Sequence, residues 1–394
     1  MIKIIDEKQC CGCGACKEVC PVQCITMKEG SLGHLFPVVN ENECISCNKC
    51  EKVCPIINPI KNTEVNQSVY ASYAKDDTIR KGGSSGGMFG TFASFLLKKQ
   101  YLVYGASFDE KFNLSCTVAK RELELKPLMK SKYLQSDMSG KYKEIEENLK
   151  NGRKILFVST PCQVVALKNY LGKEYENLIT IDFFCHGVPS QKFFDKCLRF
   201  DEKLHRIKIF DYQFRTKIRN GSTPHYFTIK YKKGNKIAEK SKLYFDSSFY
   251  AAFQKYICLR ESCYECIFST RERASDITIA DFHDINKYIK EIDRFAGCST
   301  VIINTLKGER LWKGCNHQLE TWEFNLQNLI DDGVVFAGGT QRPKNRDEFI
   351  GDYNNLKFDD FAKKWMNSKK YWKHRIYYML PKSVRNSIKR FLGV

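Results

Sequence analysis

The hydrophobic positions of this chain fall into short runs, and their spacing switches between the two-residue period of strands and the three-to-four-residue period of helices. Residues 69–74, 101–108 and 115–119 are rich in aromatic and β-branched side chains and predict strands. Residues 154–158 and 178–184 are continuous apolar runs of the kind a strand buried on both faces requires; each leads into a helix, at 164–170 and from Gln191. A charged helix is predicted over 141–151, closed by Asn151-Gly152. Residues 206–245, with turns at Asn220-Gly221 and Gly234-Asn235, predict an antiparallel hairpin insertion. A helix over 249–259 and strands at 276–281 and 299–305 complete the pattern. The most apolar segment, 88–97, reads as a buried helix; no run approaches the roughly 18 residues needed to span a membrane.

The first 60 residues follow a different rule. Residues 2–5 predict a strand paired with 36–39, with Gly30 and Gly33 turning the chain between them. Superimposed on this is a repeat: Cys10-x-x-Cys13-x-x-Cys16-x-x-x-Cys20-Pro21 recurs as Cys44-x-x-Cys47-x-x-Cys50-x-x-x-Cys54-Pro55. This is the spacing of bacterial two-cluster ferredoxins, in which three close thiolates hold one cubane and the fourth reaches to the other. Cys10, Cys13, Cys16 and Cys54 are then the ligands of one [4Fe–4S] cluster; Cys44, Cys47, Cys50 and Cys20 are those of the second. Cubane iron needs soft, deprotonated sulfur. The small residues Gly12, Gly14, Ala15 and Ser46 let the backbone curl around it, and each Pro stops the short helix carrying the fourth thiol. Zinc knuckles or a disulfide framework are the alternatives, but neither calls for a third and fourth Cys at these intervals in both halves. Cys11 and Cys24 fall outside the register and read as spare thiols.

Composition changes this picture in two ways. Nineteen cysteines with no export signal before the first ligand predict a reducing, cytoplasmic setting. The net charge of +19 is uneven: residues 1–60 carry six Lys and seven acids, whereas 361–394 carry ten Lys or Arg and no acid. That last stretch interleaves Trp365, Tyr371, Trp372, Tyr377 and Tyr378 with its cations. It can lie on anionic headgroups at the inner face of the membrane, giving peripheral association. It can equally be a solvated terminal helix that packs its rings on its own domain. No nucleic acid partner is expected, because no binding module accompanies the charge.

Further chemistry sits where strands end. Gly83, Ser84, Ser85, Gly86 and Gly87 form a loop feeding the 88–97 helix, which offers backbone N–H groups to a phosphate or ring edge, or is simply a cap. It matches neither the P-loop nor the dinucleotide fingerprint. Cys162 and Cys185 follow the 154–158 and 178–184 strands, at the edge where open α/β sheets bind ligands. With the chelating pair Cys263-x-x-Cys266 they form a candidate third ligand set, with Cys258 in reserve; alternatively they are buried cysteines acting as small hydrophobes. His186 and Asp281 are candidate proton donors at the same edge.

Residues 83–87, Lys132-Tyr133 with Gln135-Ser-Asp137, Thr160-Pro-Cys-Gln163, residues 185–190, Cys263-Tyr-Glu-Cys266 and residues 276–281 occur in an order that resembles the coenzyme F420 hydrogenase/dehydrogenase beta-subunit family. The resemblance covers about 65–345. With a dicluster domain in front, it is similar to bacterial members associated with polysaccharide biosynthesis. It implies an α/β flavin-binding domain with a mixed sheet, FAD contacts among residues 83–87, Lys132 and Tyr133, and a third [4Fe–4S] cluster on Cys162, Cys185, Cys263 and Cys266. The expected organisation is an α+β dicluster ferredoxin-like domain (1–60), a linker (61–68), that α/β domain (69–345) and a helical basic tail (346–394). The implied function is electron passage between clusters and, through FAD, a two-electron carrier or small substrate, with ferredoxin, NAD(P)H or F420 as redox partner. An electron-transfer subunit serving a partner enzyme is the alternative.

Overall fold

Each cysteine run turns through two left-handed residues before its helix, in the computed structural model that describes residues 2, 6–60, 67–218, 226–283, 285–293, 296–333, 335, 339–366, 376, 380 and 384. In the first run these are Gly12 (φ 67°) and Gly14 (φ 79°); in the second, Ser46 (φ 53°) and Asn48 (φ 58°). The sequence repeat is therefore a repeat of backbone shape. Helix α1 (Ala15–Val19) is followed by strands β1 (Ile25–Glu29) and β2 (Leu35–Val39), then by α2 (Lys49–Lys52). β1 and β2 pair antiparallel, Ile25 opposite Val39. The expected strand at 2–5 falls largely outside the described residues, and its expected partner pairs with β1 instead. β1 escaped notice because only Ile25 of its five residues is buried.

The next elements are β3 (Ser68–Ala74), α3 (Asp77–Gly82), α4 (Met88–Leu97), β4 (Tyr101–Phe108), β5 (Leu114–Ala119), α5 (Lys141–Lys150), β6 (Lys154–Val158), α6 (Pro161–Leu171) and β7 (Leu178–Phe183). After α7 (Gln191–His205) come β8 (Lys208–Thr216), β9 (Tyr226–Lys233), β10 (Lys236–Leu243) and α8 (Ser248–Phe253). The chain continues through β11 (Ile277–Asp281), β12 (Ser299–Ile303), α9 (Leu306–Cys315), β13 (Leu319–Phe324), α10 (Leu326–Asp331), α11 (Arg346–Asn355) and α12 (Phe358–Trp365).

Eight strands form one mixed sheet in the order β13-β3-β12-β11-β7-β6-β4-β5. The pairs β4/β6, β6/β7 and β7/β11 are parallel. Alternation along the strands buries both faces: Val103, Leu156, Ile179 and Val301 pack under α4 and α9, while Leu102, Tyr104, Ile155 and Phe157 pack under α5 and α6. β12 is antiparallel to both β11 and β3, so β3 runs with β11, β7, β6 and β4. The segments leaving those five strands share one edge. At the opposite end of β11, Asp276 pins the β7/β11 pair, accepting hydrogen bonds from Thr180 N (2.7 Å), Thr180 Oγ1 (2.8 Å) and Thr305 Oγ1 (2.6 Å).

The chain gathers into two compact units that cut across the linear division expected from sequence: Met1–Lys192 with Leu259–Gln341, and Phe193–Cys258 with Arg342–Val394. The cysteine repeat thus belongs to one unit with the large sheet. The second unit joins the three-stranded sheet β10-β9-β8 to α8, α11 and α12 around buried Phe193, Phe194, Phe249, Phe349 and Phe361. The helix expected over 249–259 ends at Phe253, and Tyr256 is left-handed (φ 53°). The basic stretch 361–394 lies mostly outside the described residues beyond α12. Among the described residues no helix is long and apolar enough to cross a membrane.

Gly86 meets the sheet with no room for a side chain: a Cβ there would stand 2.3 Å from Ser72 O and 2.9 Å from Ser299 N. Gly86→Ala is expected to cost about 1–3 kcal/mol as overpacking. A fall in the thermal unfolding midpoint followed by circular dichroism checks this.

Candidate functional site

The first cysteine run is held against the sheet domain through its main-chain carbonyls. Cys10 O accepts from Ser262 Oγ (2.9 Å) and Arg260 Nη1 (3.3 Å). Gln135 Nε2 donates to Cys11 O (2.8 Å) and Gly12 O (2.9 Å), and the Gln135 amide oxygen accepts from Arg260 Nε (2.8 Å). Tyr142 OH donates to Cys13 O at 2.9 Å. Glu18 caps the start of α5, accepting from Gly140 N (3.1 Å) and Lys143 N (2.7 Å). His34 Nε2 stands 3.0 Å from Val188 O, and Lys192 pairs with Glu29. Every carbonyl from Cys10 to Cys13 therefore has a partner, so the loop is fixed where its thiols meet the rest of the unit.

Within the repeat, Cys10, Cys16, Cys50 and Cys54 are buried with Cys24, Ile2 and Ile25 in one small core. Burial raises the Cys16 thiol to about 12, with Cys10 and Cys54 adding to the effect; Cys10 and Cys50 likewise raise Cys54. Cys54 thus stands with the thiols of the first run. Cys20, Cys44, Cys47 and Cys50 line a hollow with Val22, Ile45 and Asn48, and Cys47 is exposed. Cys54 therefore lies near Cys10 and Cys16, and Cys20 near Cys44, Cys47 and Cys50. The two spare thiols lie close by: Cys24 Sγ is 3.5 Å from Cys20 Sγ, and Cys11 interacts with both Cys13 and Cys162.

Cys162 opens α6 after β6, Cys185 follows β7, and Cys263 and Cys266 lie on the loop after Arg260. Burial holds the Cys185 thiol well above its usual range, and Cys263, Cys162 and Cys266 each push it further. Burial raises Cys263 to about 12, and Cys162 and Cys266 also raise it. Four thiols from three loops therefore sit within electrostatic reach of one another. Among the described residues no three His, Cys, Asp or Glu side chains are placed to share a single metal ion. A cubane offers each thiol its own corner, so a wider set of four soft donors fits it where a mononuclear zinc site would not. Cys258, the reserve ligand, is fully buried in the second unit.

Ser85, Gly86 and Gly87 are buried at the same edge of the sheet; Ser84 is half-buried. Ser85 Oγ donates to Cys298 O (2.7 Å), Gly86 N to Ser299 Oγ (2.8 Å) and Gly87 N to Ser84 O (3.0 Å). Gly86 and Gly87 are thus committed to the turn, and the open rim consists of Ser84 with the 131–133 segment. Ser131 N donates to Ser84 Oγ at 2.8 Å. Lys132 Nζ donates hydrogen bonds to Pro127 O (2.6 Å) and Met129 O (2.7 Å); burial, then Lys130, lower its pKa to about 7.

His186 and Asp281 both lie at this edge, and His283 joins them with Nε2 3.8 Å from Asp281 Oδ2. Solvent reaches His186, yet the desolvation around its ring and then His283 lower its pKa, while Asp281 acts in the opposite sense. His283 was missed in the sequence, although it lies two residues past Asp281 at a strand end. Also missed was Asp182 on β7, fully buried, with a raised pKa caused by desolvation and offset by Arg273 at 3.7 Å. Arg273 in turn lines a cleft with Ile60, Pro161, Val165 and Phe268, whose apolar lining adjoins Cys162 and Cys266.

Ferredoxin-spaced thiols anchored on a doubly wound sheet define an iron–sulfur electron-transfer protein. Residues 9–56 match the 4Fe-4S dicluster domain, and residues 152–326 match the C-terminal domain of the coenzyme F420 hydrogenase/dehydrogenase beta subunit. Over residues 152–326 the chain is similar to that beta-subunit family, with the dicluster match lying in front of it. No curated protein matches the sequence. Among solved structures, a chain of the F420-reducing [NiFe] hydrogenase complex from Methanosarcina barkeri is similar, at 15% identity over 80% of this chain and 92% of that one, with a TM-score of 0.42.

The core of residues 6–60 consists mainly of thiols, so metal must replace the apolar area such a short segment lacks. Anaerobic chelation of iron is expected to expose the amides of 6–60 to hydrogen exchange while β4, β6 and β7 remain protected. Retained protection over 6–60 would show a core that stands without metal.

Proposed function

We propose that the chain is an iron–sulfur flavoprotein oxidoreductase with three [4Fe–4S] clusters and one FAD. Electrons would pass between the exposed end of the cysteine repeat and a two-electron carrier or small substrate bound at the sheet edge. The observation that carries this reading is the pinning of the first cysteine run onto the loop of Cys263 and Cys266, with Cys11 in contact with Cys162. That contact brings two sets of four thiols side by side. Cys10, Cys13, Cys16 and Cys54 would hold the inner cluster of the repeat, Cys20, Cys44, Cys47 and Cys50 the outer one, and Cys162, Cys185, Cys263 and Cys266 the third.

The clusters supply one-electron transfer, and a flavin supplies the exchange between one- and two-electron traffic. The residues do the positioning. Arg260, Ser262, Gln135 and Tyr142 fix the separation of the two thiol sets, because each bonds main chain rather than a mobile side chain. The half-exposed rim of Ser84, Lys132 and Tyr133 is the part of the loop that could hold a flavin; Gly83, Ser85, Gly86 and Gly87 shape the turn beneath it. The rim connects to Asp281 through Ser85, which reaches Ala280 O at 3.5 Å. His186, beside Asp281 and His283, is the group there suited to exchange a proton.

Anaerobic purification with iron, sulfide and flavin counted per chain tests the reading. About twelve irons and one FAD are expected. Cys185→Ser is expected to retain about eight irons. About eight irons in the wild type, or no flavin, would refute it. Bleaching by NAD(P)H or reduced F420 without a partner supports an enzyme in its own right; reduction only by ferredoxin or another protein supports an electron-transfer subunit.

A further inference from the structure

We infer that Arg260 is an electrostatic link between the inner cluster of the repeat and the third cluster, placing one buried positive charge between them so that reduction of each is favoured. This rests on the three-cluster reading above. The Arg260 side chain is 3% exposed. Its guanidinium bonds two neutral oxygens, Cys10 O and Gln135 Oε1, and its own backbone N donates to Val188 O at 2.9 Å, next to the 185–187 segment. It thus stands between the first cysteine run, which its guanidinium bonds, and the Cys263 loop, whose first ligand is three residues further along the chain. A buried cation among neutral partners is costly unless anions stand nearby. Thiolates around a cubane provide that negative charge, which grows by one when the centre takes up an electron, so the guanidinium stabilises the reduced state more than the oxidised.

The repeat supplies an independent sign that the first loop is shaped for this cation. Gly12 and Ser46 occupy the same place in the two runs and share left-handed backbone. Ser46 carries a side chain there. At Gly12 a Cβ would stand 2.3 Å from Arg260 Nη2. The first run omits a side chain where the guanidinium lies.

The test is a potentiometric titration of the full-length protein monitored by electron paramagnetic resonance, with iron counted in each sample. Arg260→Gln is expected to disfavour reduction of the inner and third centres about tenfold, about 59 mV for a one-electron couple. The outer centre on Cys20, Cys44, Cys47 and Cys50 serves as an unshifted internal reference. Arg260→Lys, which keeps the charge, is expected to stay near wild type. Arg260→Gln with full iron and unchanged potentials overturns the inference. So does a tenfold loss in Arg260→Lys, which decides the matter even if Arg260→Gln does not retain its iron. A wild-type count of about eight irons would remove the third centre itself, a failure separable from the others by the iron assay alone.

Discussion

The structure depends on one set of hydrogen bonds: those made by the carbonyls of Cys10, Cys11, Gly12 and Cys13 to side chains of the sheet domain. Cys13 and Ala15 of the run pack into the core beneath α5 and α6, and its main-chain oxygens supply the directional bonds that fix it there. Arg260, Ser262, Gln135 and Tyr142 come from three different segments, so the first run is triangulated rather than tethered, and lateral drift would break several bonds at once.

The sheet makes this possible because its parallel centre sends several loops to one edge. β6 and β7 end at Cys162 and Cys185, β11 ends at Asp281, and β3 leads to the 83–87 turn. The polar pins behind them, Asp276 with Thr180 and Thr305, hold β7 and β11 in register. A one-residue slip there would turn Cys185 and Asp281 away from their neighbours. The loops can vary in composition because the strands beneath them cannot move.

Much of this was legible in the sequence. Fixed intervals between cysteines report a chelate directly, and continuous apolar runs such as 154–158 report strands covered on both sides. β13 was missed because, as an edge strand with Glu320 and Glu323, it buries only Leu319 fully. The two-unit division was invisible because 193–258 and 342–366 meet through aromatic packing between segments far apart in sequence, Phe193 with Phe349 at 6.0 Å among them. Arg260 gave no signal of its own. The cue lay in the other half of the contact, a glycine at position 12 where the second run has serine.

That difference between twin halves has an evolutionary reading in physical terms. A duplicated cluster motif begins with both copies under the same constraint, namely to wrap a cubane. Once one copy becomes the seat of a domain interface, its sequence is restricted by its neighbour as well as by its metal, and the matching turn positions of the other copy are less restricted. Variation should therefore accumulate at 46 and 48 sooner than at 12, and the less restricted half is the one in which a change of external redox partner can be accommodated without disturbing the internal route.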